Sequence, residues 1–301
     1  MFSELHGVMP PLATPFKDEE PDLAALQANV SRLNQTALTG YLVLGTNGEA
    51  VYLTEAEKGR VIEAVRQCTP PDKTLMVGTG CESTTATVGL TRLAAELGGD
   101  CALVLPPHYY KSLMTSERLT DHYRKLADAS PIPILIYNMP ASTGLNLSPE
   151  LVAALSEHSN IAGVKDSSGD LLQLSEIIRL KEKDFTVFVG ASPMLYPALC
   201  LGAAGGILAV ANVAPVVCCR IQAAFDEGDM NTALRLHRLL TPLAVMVTSG
   251  LGVPALKLAM NLAGYQGGRV RSPLTDLTDP EIRAAIEAEL GVLAKYEGRS
   301  G

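Results

Sequence analysis

Apolar residues in this chain come in short, nearly continuous runs, separated by longer stretches in which they recur every three or four positions. The runs are "GVMPPLATP" (7–15), "GYLVLGT" (40–46), "TLMVGTG" (74–80), "CALVLPP" (101–107), "PILIYNMP" (133–140), "IAGVKDS" (161–167), "FTVFVGAS" (185–192) and "GGILAVAN" (205–212). Lacking the alternation of a half-exposed sheet, they read as parallel strands covered on both faces.

The intervening stretches have helical period and helical start signals. "DLAALQANVSRLNQT" places Leu23, Leu26, Val30 and Leu33 on one face. "LTEAEKGRVIEAV" opens with Thr54 and Glu57 at capping-box spacing, followed by Val61, Ile62 and Val65. Ser148 precedes Pro149 as N-cap and first helical residue, a position where the missing N–H is harmless. Helix signals also follow the third, fourth and seventh runs. Strand and helix alternate without a linker-like tract, which predicts an α/β fold, a (β/α)8 TIM barrel, over residues 1–225. A doubly wound open sheet is the alternative, but "PPLATPF" carries no glycine fingerprint after the first run. Residues 226–301 show no strand pattern and read as three helices, the last opening at Asp279-Pro280. Being Ala/Leu-rich on more than one side, they are expected to form a C-terminal helical extension packed on the barrel or on another subunit.

Composition removes several classes of function. A net charge of −8 with no Lys/Arg block argues against nucleic acid and anionic membranes as partners. No apolar run reaches the roughly 20 residues a membrane span needs. "MFSELHGVMPPLATP" has neither a basic start nor an apolar signal core, so a cytoplasmic protein is expected. The six cysteines form no C-x-x-C pair and read as reduced, small hydrophobes. The five histidines are scattered without H-x-H or H-E-x-x-H spacing, so no metal is expected.

In a barrel the site lies at the C-terminal ends of the strands. There the chain places Thr46-Asn47-Gly48-Glu49, His108-Tyr109-Tyr110, Tyr137-Asn138, Lys165-Asp166-Ser167-Ser168 and Gly190-Ala191-Ser192. A lysine amine can attack a ketone to form a Schiff base, an electron sink for making or breaking a carbon–carbon bond. Burial favours the neutral amine that this attack needs. Tyr137, ending the neighbouring run, is placed to move protons. By position alone, a surface charge or an ion pair to Asp166 is the commoner use of a lysine such as Lys165, and ordinary packing that of a tyrosine such as Tyr137. Tyr109-Tyr110 also suits an oligomer contact. "GTNGE" lacks the Gly-Lys-Ser/Thr ending of a phosphate loop. Lys257, in "PALKLAM", is the competing lysine, placed beyond the barrel and away from any strand end.

Taken together, "GTNGE", the "PxYY" loop, "YNxPxxTG" and "GVKDSSGD" give the chain a resemblance to the dihydrodipicolinate synthase/N-acetylneuraminate lyase family of pyruvate-using class I aldolases, over almost its full length. The resemblance implies that Lys165 forms the Schiff base with a 2-oxo acid, normally pyruvate. Tyr137 would be the acid/base, in a hydroxyl relay with Thr46 and with Tyr109 from a neighbouring subunit. Thr46 and Asn47 would hold the pyruvate carboxylate, with Gly190 and Ile207 lining its pocket. It further implies a homotetramer built as a dimer of dimers, and no cofactor, because the imine itself is the sink.

Two departures narrow the substrate. Ser142 stands where the synthase branch carries an arginine for the carboxylate of aspartate semialdehyde, which removes a bidentate clamp. Asp166-Ser167-Ser168 replaces the Glu-Ala-Thr usual after the synthase lysine. Segments 80–88, 129–147 and 252–268, with Asn47, are most similar to 4-hydroxy-2-oxoglutarate aldolases, with 2-keto-3-deoxy sugar-acid aldolases near. The expected reaction is cleavage of 4-hydroxy-2-oxoglutarate, or a related 2-keto-3-deoxy acid, to pyruvate and an aldehyde such as glyoxylate. The alternatives are a 4-hydroxy-tetrahydrodipicolinate synthase condensing pyruvate with aspartate semialdehyde, and a catalytically silent barrel that senses a 2-oxo acid.

Overall fold

The computed structural model describes residues 5–298, so the first four residues of the N-terminal stretch and the last three of the extension lie outside it. Eight strands form one parallel sheet: β1 (Gly7–Met9), β2 (Gly40–Val43), β3 (Thr74–Gly78), β4 (Cys101–Val104), β5 (Ile134–Asn138), β6 (Ile161–Asp166), β7 (Thr186–Val189) and β8 (Gly205–Ile207). Neighbours in sequence are neighbours in the sheet from β2 to β8, and β8 pairs with β1, Met9 opposite Ile207. The ring closes between β1 and β2, where the Thr39 N–H donates to the Val8 carbonyl (3.1 Å) and the Leu12 N–H to Leu42 (2.8 Å). The predicted eight-stranded TIM barrel is the fold observed.

Each strand lies inside one predicted run, but the first and last are much shorter than their runs. Pro10 and Pro11 have no N–H to donate to a ladder, so β1 stops before them. After β8 the chain turns into a 3-10 helix, Ala209–Asn212, and the Asn212 amide donates to the Pro11 carbonyl (2.9 Å), joining the two stumps.

Alternate side chains of the strands feed two separate cores. Met9, Leu42, Met76, Leu103, Tyr137, Phe188 and Ile207 fill the barrel interior. Residues on the opposite face, such as Val43, Val77, Val104, Ile136, Val164 and Val187, pack against the surrounding helices. Those helices are α1 (Leu23–Leu33), α2 (Glu55–Cys68), α3 (Thr84–Glu96), α4 (Ser116–Ala129), α5 (Pro149–Ser156), α6 (Leu171–Leu180), α7 (Leu195–Leu201) and α8 (Pro215–Asp226). The capping box of α2 forms: the Thr54 N–H donates to Glu57 (2.7 Å), and Thr54 Oγ1 accepts from the Glu57 N–H (3.3 Å). Ser148 caps α5 as anticipated, and Asp170 caps α6, which the pattern had not flagged.

Three helices follow, α9 (Met230–Val245), α10 (Gly252–Leu262) and α11 (Pro280–Ala294). α9 lies along α8, and α11 packs on α9 and α10. Among the described residues no helix is long and apolar enough to cross a membrane, and no group of three His, Cys, Asp or Glu side chains could hold a metal ion.

Candidate active site

β5 and β6 run side by side with Tyr137 opposite Lys165 and Asn138 opposite Asp166. Strand alternation then separates two functions. Tyr137 and Lys165 point into the barrel, where they are 5% and 3% exposed, and the lysine Nζ sits 4.2 Å from the centre of the phenol ring. Asp166 points the other way, into the helix layer. It accepts from Asn138 Nδ2 (2.7 Å), Gln173 Nε2 (3.1 Å) and Ser168 Oγ (2.6 Å). The alternative of a Lys165–Asp166 ion pair is therefore not what the fold builds. Asp166 fastens the end of β6 to β5 and α6 and leaves the lysine amine on the interior side.

Across the mouth, the turn after β2 brings Thr46 Oγ1 to 3.4 Å from the Tyr137 hydroxyl. Burial pushes the Tyr137 phenol up. The Lys165 charge and hydrogen bonds from Thr46, Lys165 and Ser167 outweigh it, so the phenol ends below its ordinary value. A phenol acidified in this way and held beside an amine is suited to giving and retaking protons. Gly190, at the end of β7, leaves room for the lysine: a Cβ there would stand 1.8 Å from Ser167 Oγ and 2.8 Å from Lys165 Cε. Ile207 is fully buried in the same interior cluster as Tyr137.

Thr46, Tyr137 and Ser142 line one cavity of about 300 Å³ together with Thr143, Lys58 and His108. Ser142 belongs to a single helical turn, Pro140–Thr143, at the lip above β5. Asn47 is half-buried on the same turn as Thr46. Tyr109 is not brought to this cavity by its own chain. It is 76% exposed and stacks edge-on against Tyr110, with ring centres 5.1 Å apart. Its loop is nonetheless held: Glu82 accepts from the backbone N–H groups of His108 (2.9 Å) and Tyr109 (2.8 Å).

Two features escaped the sequence. Ser167 contributes to the Tyr137 hydrogen bonding; its signal was the strand period, which returns residue 167 to the lysine's face. Lys257 is not remote from the strand ends, a correction to the placement given above. Its Nζ lies 2.5 Å from Glu49 Oε1, in the turn after β2, with both side chains buried. Burial lowers the Lys257 pKa although the Glu49 carboxylate opposes this, so what keeps Lys257 from attacking a carbonyl is not its charge state. It is access: the Lys257 amine is occupied by Glu49, the Arg269 carbonyl (2.6 Å) and the face of Phe16.

The sequence profile of the dihydrodipicolinate synthetase family matches residues 4–291. The chain belongs to this family. Among its relatives is a 4-hydroxy-tetrahydrodipicolinate synthase of Methanothrix thermoacetophila, 40% identical over 98% of each chain. Another is a probable mitochondrial 4-hydroxy-2-oxoglutarate aldolase of Emericella nidulans, 36% identical over 94% of this chain and 93% of that one. Among solved structures, a prophage protein of the family from E. coli K12, in complex with pyruvate, superposes with a TM-score of 0.89. It is 28% identical, over 96% of this chain and 98% of that one. As a member of a family of aldolases and synthases the protein is a lyase, which sets aside a catalytically silent sensor barrel.

Proposed function

We propose that this family member is a class I pyruvate aldolase that cleaves 4-hydroxy-2-oxoglutarate, or a related 2-keto-3-deoxy acid, to pyruvate and an aldehyde. The observation that carries this reading is the placement of the Lys165 amine against Tyr137 inside the barrel, beside a cavity whose lip presents Ser142 and no arginine. Lys165 attacks the C2 carbonyl of the substrate, and the carbinolamine loses water to give the cationic imine. Breaking the C3–C4 bond sends its electron pair into the imine to form the enamine, while the C4 hydroxyl proton passes to Tyr137. For 4-hydroxy-2-oxoglutarate the departing aldehyde is glyoxylate. Protonation of the enamine at C3 and hydrolysis then release pyruvate and the free amine. Thr46 and Asn47 hold the pyruvate carboxylate, Gly190 and Ile207 shape its pocket, and the relay is completed by Tyr109 of a second copy in a homotetramer. Lys58 lines the same cavity and is available to a second carboxylate on the substrate.

The 40% identity to the Methanothrix synthase favours a second reading, condensation of pyruvate with aspartate semialdehyde. Both readings require the imine. Incubation with pyruvate and borohydride is expected to leave a reduced pyruvyl adduct on Lys165, found by peptide mass spectrometry; an adduct on Lys257, or none, rejects the site. Turnover of 4-hydroxy-2-oxoglutarate, 2-keto-3-deoxy sugar acids and pyruvate with aspartate semialdehyde then separates the two. Activity confined to the last rejects the aldolase.

A further inference from the structure

The mechanism leaves one buried ion pair unused, and it touches the catalytic turn. The chain leaves β2 through Leu44 and Glu49, both with left-handed backbone (φ 58° and 53°), on either side of Thr46-Asn47. Such conformations are costly for residues other than glycine and persist where surroundings over-determine them. Within the turn the Glu49 N–H donates to the Thr46 carbonyl (3.1 Å), so the position of Glu49 and that of Thr46 are linked through three peptide units.

What fixes Glu49 comes almost entirely from the C-terminal extension. One carboxylate oxygen meets Lys257 Nζ of α10 at 2.5 Å, and the other accepts the Arg271 N–H at 2.9 Å. Lys257 is itself anchored by the Arg269 carbonyl and lies over the Phe16 ring, 4.5 Å from its centre. The segment between α10 and α11 reaches this place by close approach: a Cβ on Gly267 would stand 2.3 Å from the Lys257 carbonyl. The Asn29 side chain on α1 then clasps the Gln266 backbone with two reciprocal bonds of 2.8 Å.

We infer that Glu49 and Lys257 are positioning residues that hold the Thr46-Asn47 turn in its pyruvate-binding geometry, making the C-terminal extension a working part of the active site. The two charges would otherwise be hard to account for, because replacing a buried ion pair with neutral side chains of similar volume is often neutral or stabilising. A pair kept for stability alone gains little. A pair that locates a strained turn has a directional task that apolar packing performs less well.

The inference rests on the assignment of Lys165 as imine former and of the turn as carboxylate site, and one assay separates the failures. Borohydride trapping of pyruvate is measured as a function of pyruvate concentration, alongside the Tm, for the wild type and the Glu49→Gln/Lys257→Met double variant. The double variant is expected to keep its Tm within a few degrees while its half-saturating pyruvate concentration rises about tenfold or more. Adduct yield at saturation should stay near wild type, since Lys165 is untouched. Asn160→Ala, which removes side-chain bonds to the Ala127 and Ser130 carbonyls at the N-terminal end of β6, the opposite end of the barrel from the site, is expected to lower the Tm without moving half-saturation. A folded double variant with wild-type half-saturation overturns the inference, and an Asn160→Ala shift as large as the double variant's does so too. If the double variant does not fold, Glu49→Asp, which keeps the charge and shortens the reach, takes its place. Unchanged half-saturation in that folded variant overturns the inference equally. A wild type that traps no pyruvate overturns the Lys165 assignment and the inference with it.

Discussion

At the scale of single residues, the lysine and its phenol were legible in the sequence because each ends an apolar run, and strand ends are where barrels do chemistry. Replacing Tyr137 with Phe removes the hydroxyl proposed to carry the proton but keeps the ring beside Lys165. The expected result is a fall in kcat of about 10²- to 10⁴-fold with little change in KM. Unchanged turnover would remove Tyr137 from the mechanism. Gly190 gives a sharper geometric test. An added methyl must displace Ser167 or the lysine stem, both within 2.8 Å of its position. Gly190→Ala is expected to destabilise by about 1–3 kcal/mol in a thermal melt, with a larger fractional loss of pyruvate trapping. A variant that melts earlier yet traps normally would show that the lysine tolerates being moved. The role of Ser167 was hidden because a serine two places after a lysine has no signature of its own; its position just past β6, back on the lysine's face, gives it one.

At the scale of elements, strands and helices were readable from periodicity, whereas the lengths of β1 and β8 were not. Prolines and a side-chain amide decided those, through hydrogen bonds that hydropathy does not encode. The start of α2 was legible down to its cap, yet the glutamate of its capping box does more than the motif implies. Glu57 also receives the Arg271 guanidinium, at 2.9 Å and 2.6 Å. That hydrogen bonding, with further help from Thr54 and against the effect of burial, lowers its pKa from 4.5 to about 2. A carboxylate with a depressed folded-state pKa contributes stability above its unfolded value and loses it as pH falls toward the folded one. The wild type is therefore expected to be more stable than Glu57→Gln above pH 4.5, the two converging as pH drops toward about 2. Denaturant melts across that window check it; a constant gap would mean the ion pair is not the source. Glutamine can still serve the capping box, so the comparison isolates the charge.

At the scale of the whole molecule, the extension was legible as helices but not as a neighbour of the active site. Glu49 and Lys257 are far apart in sequence, and neither charge sits in a pattern that announces a partner. Such a pairing is decided by packing in three dimensions. The same holds for Tyr109, whose ring is turned outward beside Tyr110 (67% exposed), with Leu113 (52%) and Val51 (82%) also exposed. If that phenol serves a second copy's relay, a working centre is assembled from two chains. Two defective proteins can then repair one another. Tyr109→Phe and Lys165→Ala, each nearly inactive alone, are expected to regain part of the wild-type rate when unfolded and refolded together, because some mixed pairs receive one intact centre. Mixtures as inactive as their components would show that Tyr109 does not act across chains. By the same logic, specific activity should fall on dilution, and a Tyr109→Phe subunit should spoil the centre of the sound one it joins, whereas a Lys165→Ala subunit should leave that centre working.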